Sequence, residues 1–410
     1  MDRMWWERPG LEVRDGRLRV AGRDAEALAR EHGTPLFVHD LVRIQEQARS
    51  LLDTFERVGA PFRLRLALKA QRDPHVLAFV RSLGAIGLDV CSPGELRHAL
   101  DHGWAPTEIS YTGTNLSERD LDEILPLGPR LNVDLLSQLE RVGRRAPGSN
   151  LGLRVNPRAG AAWSGLGRAE GSLYASATPT KFGILEEQLD DAIAIARKHD
   201  LGLDTVHFHV GDGFLTVGLG AFEVAVERAA GFARRLADAG FEIGEVNAGG
   251  GLGVPQRGED DPLDPDAYAA VLTRHLGPLG VTIACEPGDY LGKEMGVLLA
   301  EVVTVEERGG VTFVGLDAGY TVAPEHFMYG SLLPIVVCRV ADAEPAEKVT
   351  IAGNINEGDD LWAENLPFPE VVEGDIVAML GVGTYNLSMS MPHCLRPPAS
   401  VVSFSDRSDG

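Results

Sequence analysis

Cysteine, aromatic residues and lysine are scarce in this 410-residue chain, and long apolar runs are absent. The four cysteines, at positions 91, 285, 338 and 394, lie far apart, without CxxC spacing or the density of a disulfide framework. No stretch of about 20 apolar residues could span a membrane, and the first residues lack the apolar segment of a signal peptide. These absences predict a cytoplasmic protein, and we expect no bound metal.

The remaining composition is that of an ordinary globular protein. Hydrophobic residues make up 44% of the chain and charged residues 24%, and the length allows about two or three domains. Lysine and arginine number 38 against 60 aspartates and glutamates, so the formal net charge is −22. This acidic balance argues against nucleic acid and anionic membranes as partners, since both attract basic surfaces.

Short apolar runs alternate with helical patterns between residues 39 and 290. We predict eight strands here, at residues 62–69, 86–91, 108–112, 131–135, 151–156, 204–210, 243–248 and 281–286. Eight strand–helix units over roughly 250 residues match a (β/α)8 barrel. A doubly wound sheet, the alternative, would need fewer units or a larger chain. We therefore predict an α/β fold with a (β/α)8 TIM barrel over residues 39–290.

Beyond residue 290 the pattern is β-rich, with glycine and proline between the runs. We predict strands at 297–305, 311–316, 335–340, 348–351, 375–380 and 400–404, and hence a C-terminal antiparallel β domain over residues 291–410. Residues 11–38 predict a hairpin plus a further strand. Because chain ends commonly pair, we expect residues 1–38 to join that domain.

Barrels carry catalytic groups at the carboxyl ends of their strands. Those ends here carry chemically versatile residues, namely Lys69, Asp89, Ser92, Arg154, Asn156, His209, Gly249, Gly250, Gly251 and Glu286. Lys69 is the most informative, because the chain holds only five lysines and a desolvated lysine favours Schiff-base chemistry. A lysine that extends into solvent at the barrel rim is the alternative.

The glycine run after the seventh strand suits a phosphate group. Consecutive glycines let backbone N–H groups approach an anion closely, and barrels often bind phosphate after strands 7 and 8. A flexible loop is the alternative. Taken alone, Glu286 could be an ion-pair partner at the barrel mouth, and His209 a core histidine.

Motifs along nearly the whole chain resemble those of the fold-type III pyridoxal-phosphate decarboxylases. These are the diaminopimelate, ornithine and arginine decarboxylases, which share an alanine-racemase-like barrel. The matching motifs are residues 66–70 (LALKA), 88–96 (LDVCSPGEL), 153–157 (LRVNP), 181–183 (KFG), 207–211 (HFHVG), 249–251 (GGG), 286–288 (EPG), 317–319 (DAG), 357–360 (EGDD) and 383–385 (GTY).

The resemblance implies a role for each matching residue. Lys69 would hold pyridoxal 5'-phosphate (PLP) as a Schiff base, His209 would stack on its ring, and Glu286 would pair with the protonated ring nitrogen. The remaining residues implied at the cofactor, several of them at its phosphate, are Arg154, Gly211, Gly249, Gly250, Gly251 and Tyr385. The resemblance also implies a homodimer in which the segment around Glu357 reaches the other subunit's site.

Two aspartates depart from the family pattern at the cofactor site. Asp212 stands where the family has serine and Asp289 where it has arginine, and both family residues contact the phosphate. Carboxylates beside a phosphate dianion repel it. These aspartates therefore turn away, are compensated by a cation, or lower the affinity for the cofactor.

Two further departures concern catalysis and substrate. Asn356, beside Glu357, replaces a cysteine associated with protonation after carbon dioxide leaves, which predicts a slower reaction or an altered product. Glu325 replaces an arginine that grips the distal carboxylate of diaminopimelate, in the segment leading to Tyr329. With Glu357 and Asp360 it predicts an acidic site for a cationic tail, and not for meso-diaminopimelate. A solvent-facing Glu325 is the alternative.

Together these observations predict a small-molecule substrate and PLP-dependent decarboxylation of an amino acid with an amine or guanidinium tail. One rival is an amino-acid racemase on the same fold. The other is a non-catalytic or cofactor-poor paralogue, which Asp212, Asp289 and Asn356 suggest.

Overall fold

The computed structural model describes residues 4–162 and 180–408. The chain divides into two compact units. The first comprises Met1–Glu46, Pro255–Asp260 and Leu291–Gly410, and the second comprises Gln47–Val254 and Asp261–Tyr290. Among the described residues, no helix has both the length and the apolar character needed to span a bilayer.

The chain begins with a small antiparallel sheet of three strands that belongs to the first unit. The elements of this region are β1 Leu11–Arg14, β2 Arg17–Val20, β3 Arg23–Asp24, α1 Ala25–His32 and β4 Leu36–Asp40. The Asp24 side chain accepts a hydrogen bond from the Ala27 N–H at 2.9 Å, and this cap starts α1.

The second unit is a closed barrel of eight parallel strands, ordered β5–β6–β7–β8–β9–β11–β13–β14. The barrel strands are β5 Phe62–Ala67, β6 Ile86–Val90, β7 Ile109–Thr112, β8 Arg130–Val133, β9 Asn150–Arg154, β11 Gly202–His207, β13 Glu245–Asn247 and β14 Thr282–Cys285. Two short strands, β10 Ala161–Ala162 and β12 Gly211–Asp212, pair with each other in parallel. All eight predicted barrel strands are confirmed.

The helices of this part of the chain follow the strands in the usual alternation. They are α2 Leu41–Arg57, α3 Pro74–Ser82, α4 Pro93–Asp101, α5 Glu118–Ile124, α6 Leu136–Arg145, α7 Leu189–Lys198, α8 Leu219–Asp238, α9 Pro265–Leu276 and α10 Asp289–Gly292. Asp73 caps α3 by accepting from the His75 and Val76 N–H groups, with Pro74 at the first helical position.

The C-terminal part of the first unit is built on a mixed sheet. Its elements are β15 Gly296–Arg308, β16 Val311–Leu316, α11 Glu325–Tyr329, β17 Ile335–Val337, β18 Glu347–Ala352, β19 Leu361–Phe368, β20 Ile376–Leu380 and β21 Ser400–Phe404. The sheet order is β17–β20–β15–β16–β18–β19, and β4 pairs with both β15 and β21. Of the N-terminal strands within the described residues, β4 alone therefore joins this sheet.

The sheet is antiparallel in most of its pairs, as predicted, but β16 runs parallel to β18 and β21 parallel to β4. Strand β19 was not predicted. Asn365, with a φ of +52°, and Pro367 interrupt its pattern, and residues of these types usually mark turns.

Candidate active site

Lys69 lies two residues beyond the end of β5, in a turn at the carboxyl edge of the barrel. The Leu68 N–H donates to the Asp89 carbonyl at 2.9 Å, and the Ala70 N–H donates to the Ala67 carbonyl at 3.1 Å. These two bonds fix the backbone on either side of Lys69. Its side chain is exposed, so the desolvation expected at this strand end is not found, and its amine is open to a reaction partner.

Glu286 follows β14 and is buried inside the barrel. Its carboxylate accepts hydrogen bonds from His207 Nε2 at 3.0 Å and from Asn247 Nδ2. Arg65 NH1 lies 3.9 Å from Glu286 Oε1. Burial alone would raise the pKa of Glu286, but His207 and Arg65 outweigh it and lower the pKa to about 2. Glu286 is therefore an ionised carboxylate, the form that would pair with a protonated ring nitrogen.

Asp89, near the end of β6, has the opposite character. It is buried, and its Oδ1 has no hydrogen-bond partner among the described residues. Burial and the negative charge of Glu286 raise the pKa of Asp89 well above its usual value, although the Lys69 ammonium opposes this. The pKa values of the two carboxyl groups at this end of the barrel are thus shifted in opposite directions, with that of Glu286 lowered and that of Asp89 raised.

Two histidines of β11 and the segment after it are held neutral. Burial lowers the pKa of His207, and donation to Glu286 places its proton on Nε2. Desolvation, together with the charges of Lys69 and Arg154, lowers the pKa of His209 well below its usual value. The Gly250 N–H donates to His209 Nδ1 at 3.1 Å, so a neutral His209 carries its proton on Nε2. A neutral ring in a fixed orientation suits stacking on a cofactor.

The glycine run after β13 is packed against neighbouring backbone. A Cβ atom at Gly249 would lie 2.5 Å from the Phe208 carbonyl oxygen, and one at Gly250 would lie 2.6 Å from that of Glu286. Any side chain there would therefore displace the loop from the barrel. The Gly249 N–H donates to Asn247 Oδ1 at 2.9 Å, and that of Gly250 is used by His209. Two N–H groups expected at a phosphate are thus used internally.

The two unusual aspartates flank this loop. A Cβ at Gly251 would lie 2.5 Å from the Gly211 carbonyl oxygen, so Asp212, the next residue along, lies beside the loop. Asp212 is exposed in β12, whereas Asp289 is half-buried at the first position of α10. Their effect on a bound phosphate stays a prediction.

Arg154 ends β9 at the same edge of the barrel and is buried, with its guanidinium carbon 4.3 Å from the centroid of the Phe182 ring. The carboxyl end of the barrel thus presents an exposed amine, an ionised carboxylate, a neutral imidazole, an arginine and a loop of glycines that have no room for a side chain. This donor set, with the unpartnered Asp89 Oδ1 among the described residues, fits PLP.

Glu325 corrects a prediction made from the sequence. It is neither solvent-facing nor open to a substrate tail in this chain, because it is buried and forms an ion pair with the buried Lys293. Asn386 Nδ2 donates to Glu325 Oε2 at 3.1 Å, and the Glu325 N–H donates to Asn386 Oδ1 at 3.3 Å. This carboxylate is already neutralised, so it gives no ground for a cation-binding site.

Asp360 also has an internal use, whereas its neighbours are accessible. It is buried, and its carboxylate accepts from the Ile355 N–H at 2.7 Å and from the Tyr320 N–H at 2.8 Å, which holds the 355–360 loop in place. Asn356 and Glu357 on this loop are exposed. Glu357 accepts from His393 Nε2 at 3.0 Å. Of the proposed acidic set, Glu357 is thus the member that a ligand could reach.

The two tyrosines predicted at the site also belong to the first unit. Tyr329 ends α11 and is 46% exposed, so its hydroxyl is available to a ligand or a second subunit. Tyr385 is half-buried and has a φ of +55°, in the left-handed region that a residue with a side chain rarely adopts.

Sequence reasoning missed the residues that surround Glu286: Arg65, His207, Glu245 and Asn247. A signal was present, because Arg63 and Arg65 place two charges in an otherwise apolar parallel strand, where buried residues are normally apolar. His207 lies two residues before His209, and the predicted strand 204–210 would place both on one side. The partners of these residues come from distant strands, and so only the closed barrel reveals them.

Comparison with known proteins agrees with this geometry. The family model of the pyridoxal-binding domain of pyridoxal-dependent decarboxylases matches residues 41–293. The diaminopimelate decarboxylase of Methanothermobacter thermautotrophicus is 38% identical over 96% of this chain and 92% of that protein. That of Streptomyces coelicolor is 32% identical, over 90% and 84%. The crystal structure of diaminopimelate decarboxylase from M. jannaschii superposes with a TM-score of 0.87 at 26% identity, covering 96% and 92%. The chain therefore belongs to the pyridoxal-dependent decarboxylases and is an amino-acid decarboxylase that uses PLP.

Proposed function

We propose that this chain decarboxylates an α-amino acid with a second amine on its side chain, and that Lys69 binds PLP covalently. The observation that carries the proposal is that an exposed Lys69 and an ionised, buried Glu286 lie at the same end of the barrel. The chain's other groups at that end, His209 and Arg154, have the chemistry needed to orient the cofactor.

In this proposal the protein binds and orients the cofactor. When bound, the cofactor supplies a sink for the electrons that the departing carboxylate leaves behind. Glu286, by remaining ionised, would keep a proton on the ring nitrogen. His209 would stack on the ring. Arg154 and the backbone of Gly211 and Gly251 would bind the phosphate end, since Asn247 and His209 already use the Gly249 and Gly250 N–H groups.

Release of the amine needs a proton at the carbon that has lost carbon dioxide. We propose that Asn356 does not supply it, since an amide is a poor acid at neutral pH, and that the Lys69 ammonium or water does. Glu357, exposed on the same loop, is proposed to contact the substrate together with Tyr329.

Two candidate substrates differ in the group at the end of the substrate's side chain. The relatives are named diaminopimelate decarboxylases, which favours a substrate with both an amine and a distal carboxylate. Glu325 stands in place of the family arginine that holds a distal carboxylate, and the loss of that arginine favours a basic amino acid without this group. The buried Lys293–Glu325 pair removes the argument that Glu325 itself repels a carboxylate, so diaminopimelate stays as the second candidate.

We further propose a homodimer whose active site receives the 355–360 loop of the other subunit. The support is the exposure of Asn356, Glu357 and Tyr329, residues that the family resemblance places at the active site. The cytoplasmic location expected from the spacing of the cysteines stays a prediction.

Carbon dioxide release by the PLP-loaded protein tests the proposal. Meso-diaminopimelate, L-lysine, L-ornithine and L-arginine are supplied in parallel, and optical rotation is followed in the same samples. We expect carbon dioxide from at least one amine-bearing amino acid and none from L-leucine or L-glutamate. Loss of rotation without carbon dioxide would instead identify a racemase, and no reaction by a PLP-loaded protein would favour a non-catalytic paralogue.

A further inference from the structure

An ionic cluster of unusual composition lies inside the barrel beneath the proposed site. The Glu245 carboxylate accepts from Arg65 NH1 at 2.8 Å and from Arg65 NH2 at 3.1 Å, a two-pronged pair buried at both ends. Arg63 NH1 reaches the same carboxylate at 2.6 Å, and Arg130 NH2 lies 3.5 Å from it. One carboxylate is thus shared by three guanidinium groups.

This cluster leaves a surplus of positive charge inside the barrel. A single negative charge on Glu245 cannot neutralise three arginines, but two of the three are partly exposed to solvent. The side chain of Arg63 is 51% exposed and that of Arg130 is 33% exposed, whereas that of Arg65 is 4% exposed. The charge of Arg65 therefore has to be balanced by groups inside the barrel.

Glu286 is the second carboxylate that Arg65 meets. Arg65 NH1 lies 3.9 Å from Glu286 Oε1, beyond hydrogen-bond length but within ion-pair range. Because both prongs of Arg65 are committed to Glu245, the guanidinium is fixed and acts on Glu286 through its charge.

The other groups that act on Glu286 come from neighbouring strands. His207 from β11 and Asn247 from β13 donate hydrogen bonds to it, and Ser110 from β7 adds a hydroxyl. Asp89 from β6, the neighbouring Cys285 and the nearby His209 also interact with its charge. Burial raises the pKa of Asp89 and lowers the pKa of both histidines, so Arg65 is the member of this set that stays cationic at neutral pH.

We propose that Arg65, clamped by Glu245, is a positioning residue that holds Glu286 as an ionised carboxylate for the cofactor's ring nitrogen. The inference rests on the proposed function, since Glu286 has this partner only when PLP is bound. Arg65 touches neither cofactor nor substrate in this account and acts through Glu286. Its role is to extend the pH range over which Glu286 stays charged.

The test is a pH titration of the absorbance and affinity of bound PLP in the holoenzyme, with Arg65→Gln compared with wild type. Glutamine can still donate to Glu245, which also keeps Arg63 and Arg130. A cation within about 4–6 Å typically lowers a carboxylate pKa by about one to three units. We therefore expect the acid-side midpoint of the PLP absorbance titration to lie at least about one pH unit higher in Arg65→Gln than in wild type. At about pH 8 the affinity of the variant for PLP should be close to that of wild type.

Two variants separate charge from structure. Arg63→Gln removes an arginine that binds the same Glu245 carboxylate and that, within the described residues, forms no ion pair with Glu286. We expect this variant to titrate like wild type. Arg65→Lys restores the positive charge without the two parallel hydrogen bonds of the guanidinium. The midpoint of this variant should therefore lie close to that of wild type. Circular dichroism at each pH confirms that the protein compared is folded. If Arg65→Gln fails to fold, Arg65→Gln/Glu245→Gln replaces it, with the same shift expected.

The outcomes are distinct for the two proposals. A wild-type protein that neither binds PLP nor releases carbon dioxide would remove the proposed function. A wild type that does both, with an Arg65→Gln midpoint equal to its own, would overturn the inference alone. An equal shift in Arg63→Gln would overturn it too, because the effect would then come from loosening Glu245.

Discussion

At the scale of single residues, the surroundings of each acid decide what it can do. Glu286 is ionised because donors and a cation surround it, whereas burial and the charge of Glu286 raise the pKa of Asp89. Glu325 looked like a ligand in the sequence, but Lys293 neutralises it. These two residues are 32 positions apart, and pairing at that distance cannot be predicted from local pattern.

The Lys293–Glu325 pair leads to a stability prediction. Lys293→Met leaves a buried carboxylate without its cation, and we expect a loss of about 3–5 kcal/mol in the free energy of unfolding. The double variant Lys293→Met/Glu325→Leu removes both charges and should lose much less. Chemical denaturation measures both. Equal losses in the single and double variants would contradict the pair's structural role, and abolished catalysis in a stable double variant would return Glu325 to the site.

His209 leads to a prediction about pH. Its pKa is lowered in the folded state, so the unfolded chain binds a proton that the folded chain does not, and stability falls as the pH drops below about 6.5. His209→Gln removes this penalty. Relative to wild type, the cofactor-free variant should gain about 1.4 kcal/mol between about pH 7.5 and pH 5.5. The control is the exposed His75→Gln, and a difference that does not change with pH in His209→Gln would contradict the assignment.

At the scale of elements, strand ends carry the site, and this part was predictable. Apolar runs of strand length located all eight barrel strands, and the rule that barrel chemistry lies at carboxyl ends then located Lys69, His209 and Glu286. The interior ion cluster was not predicted, because Arg65 lies on β5, far in sequence from Glu245 and Glu286, and β5 meets β14 only when the barrel closes. Parallel pairing of β16 with β18 also depends on the long connection between them.

The glycine loop after β13 gives a prediction at this scale. In Gly250→Ala the new methyl group would lie 2.6 Å from the Glu286 carbonyl oxygen, a backbone atom that cannot move aside alone. We expect affinity for PLP to fall at least about tenfold, because the loop must leave its position beside Glu286 and His209. Equilibrium dialysis measures this affinity.

The matched control is Gly231→Ala in the interior of α8, where an added Cβ meets no atom within 4 Å. It should leave cofactor affinity unchanged and raise stability by up to about 1 kcal/mol, since alanine favours the helix. Wild-type affinity in Gly250→Ala would show that close packing of this loop is unimportant for the cofactor.

At the scale of the whole molecule, the proposed dimer explains why Asn356, Glu357 and Tyr329 are accessible although the family resemblance places them at the active site. Light scattering should give a mass near twice the 44.0 kDa of one chain. Mixing chains that carry Lys69→Ala with chains that carry Glu357→Ala should produce some dimers with one intact site. We expect roughly a quarter of wild-type activity to return, and two inactive parents with an inactive mixture would contradict a shared site.

The central claim is that Lys69 binds PLP at the carboxyl end of the barrel, despite the two aspartates beside the glycine loop. The visible absorption spectrum after addition of PLP and removal of the excess tests it most directly, on wild type and on Lys69→Ala. We predict a visible band in wild type that is absent from a folded Lys69→Ala protein. A band that survives the substitution, or a wild type that stays colourless at saturating PLP, would contradict the claim.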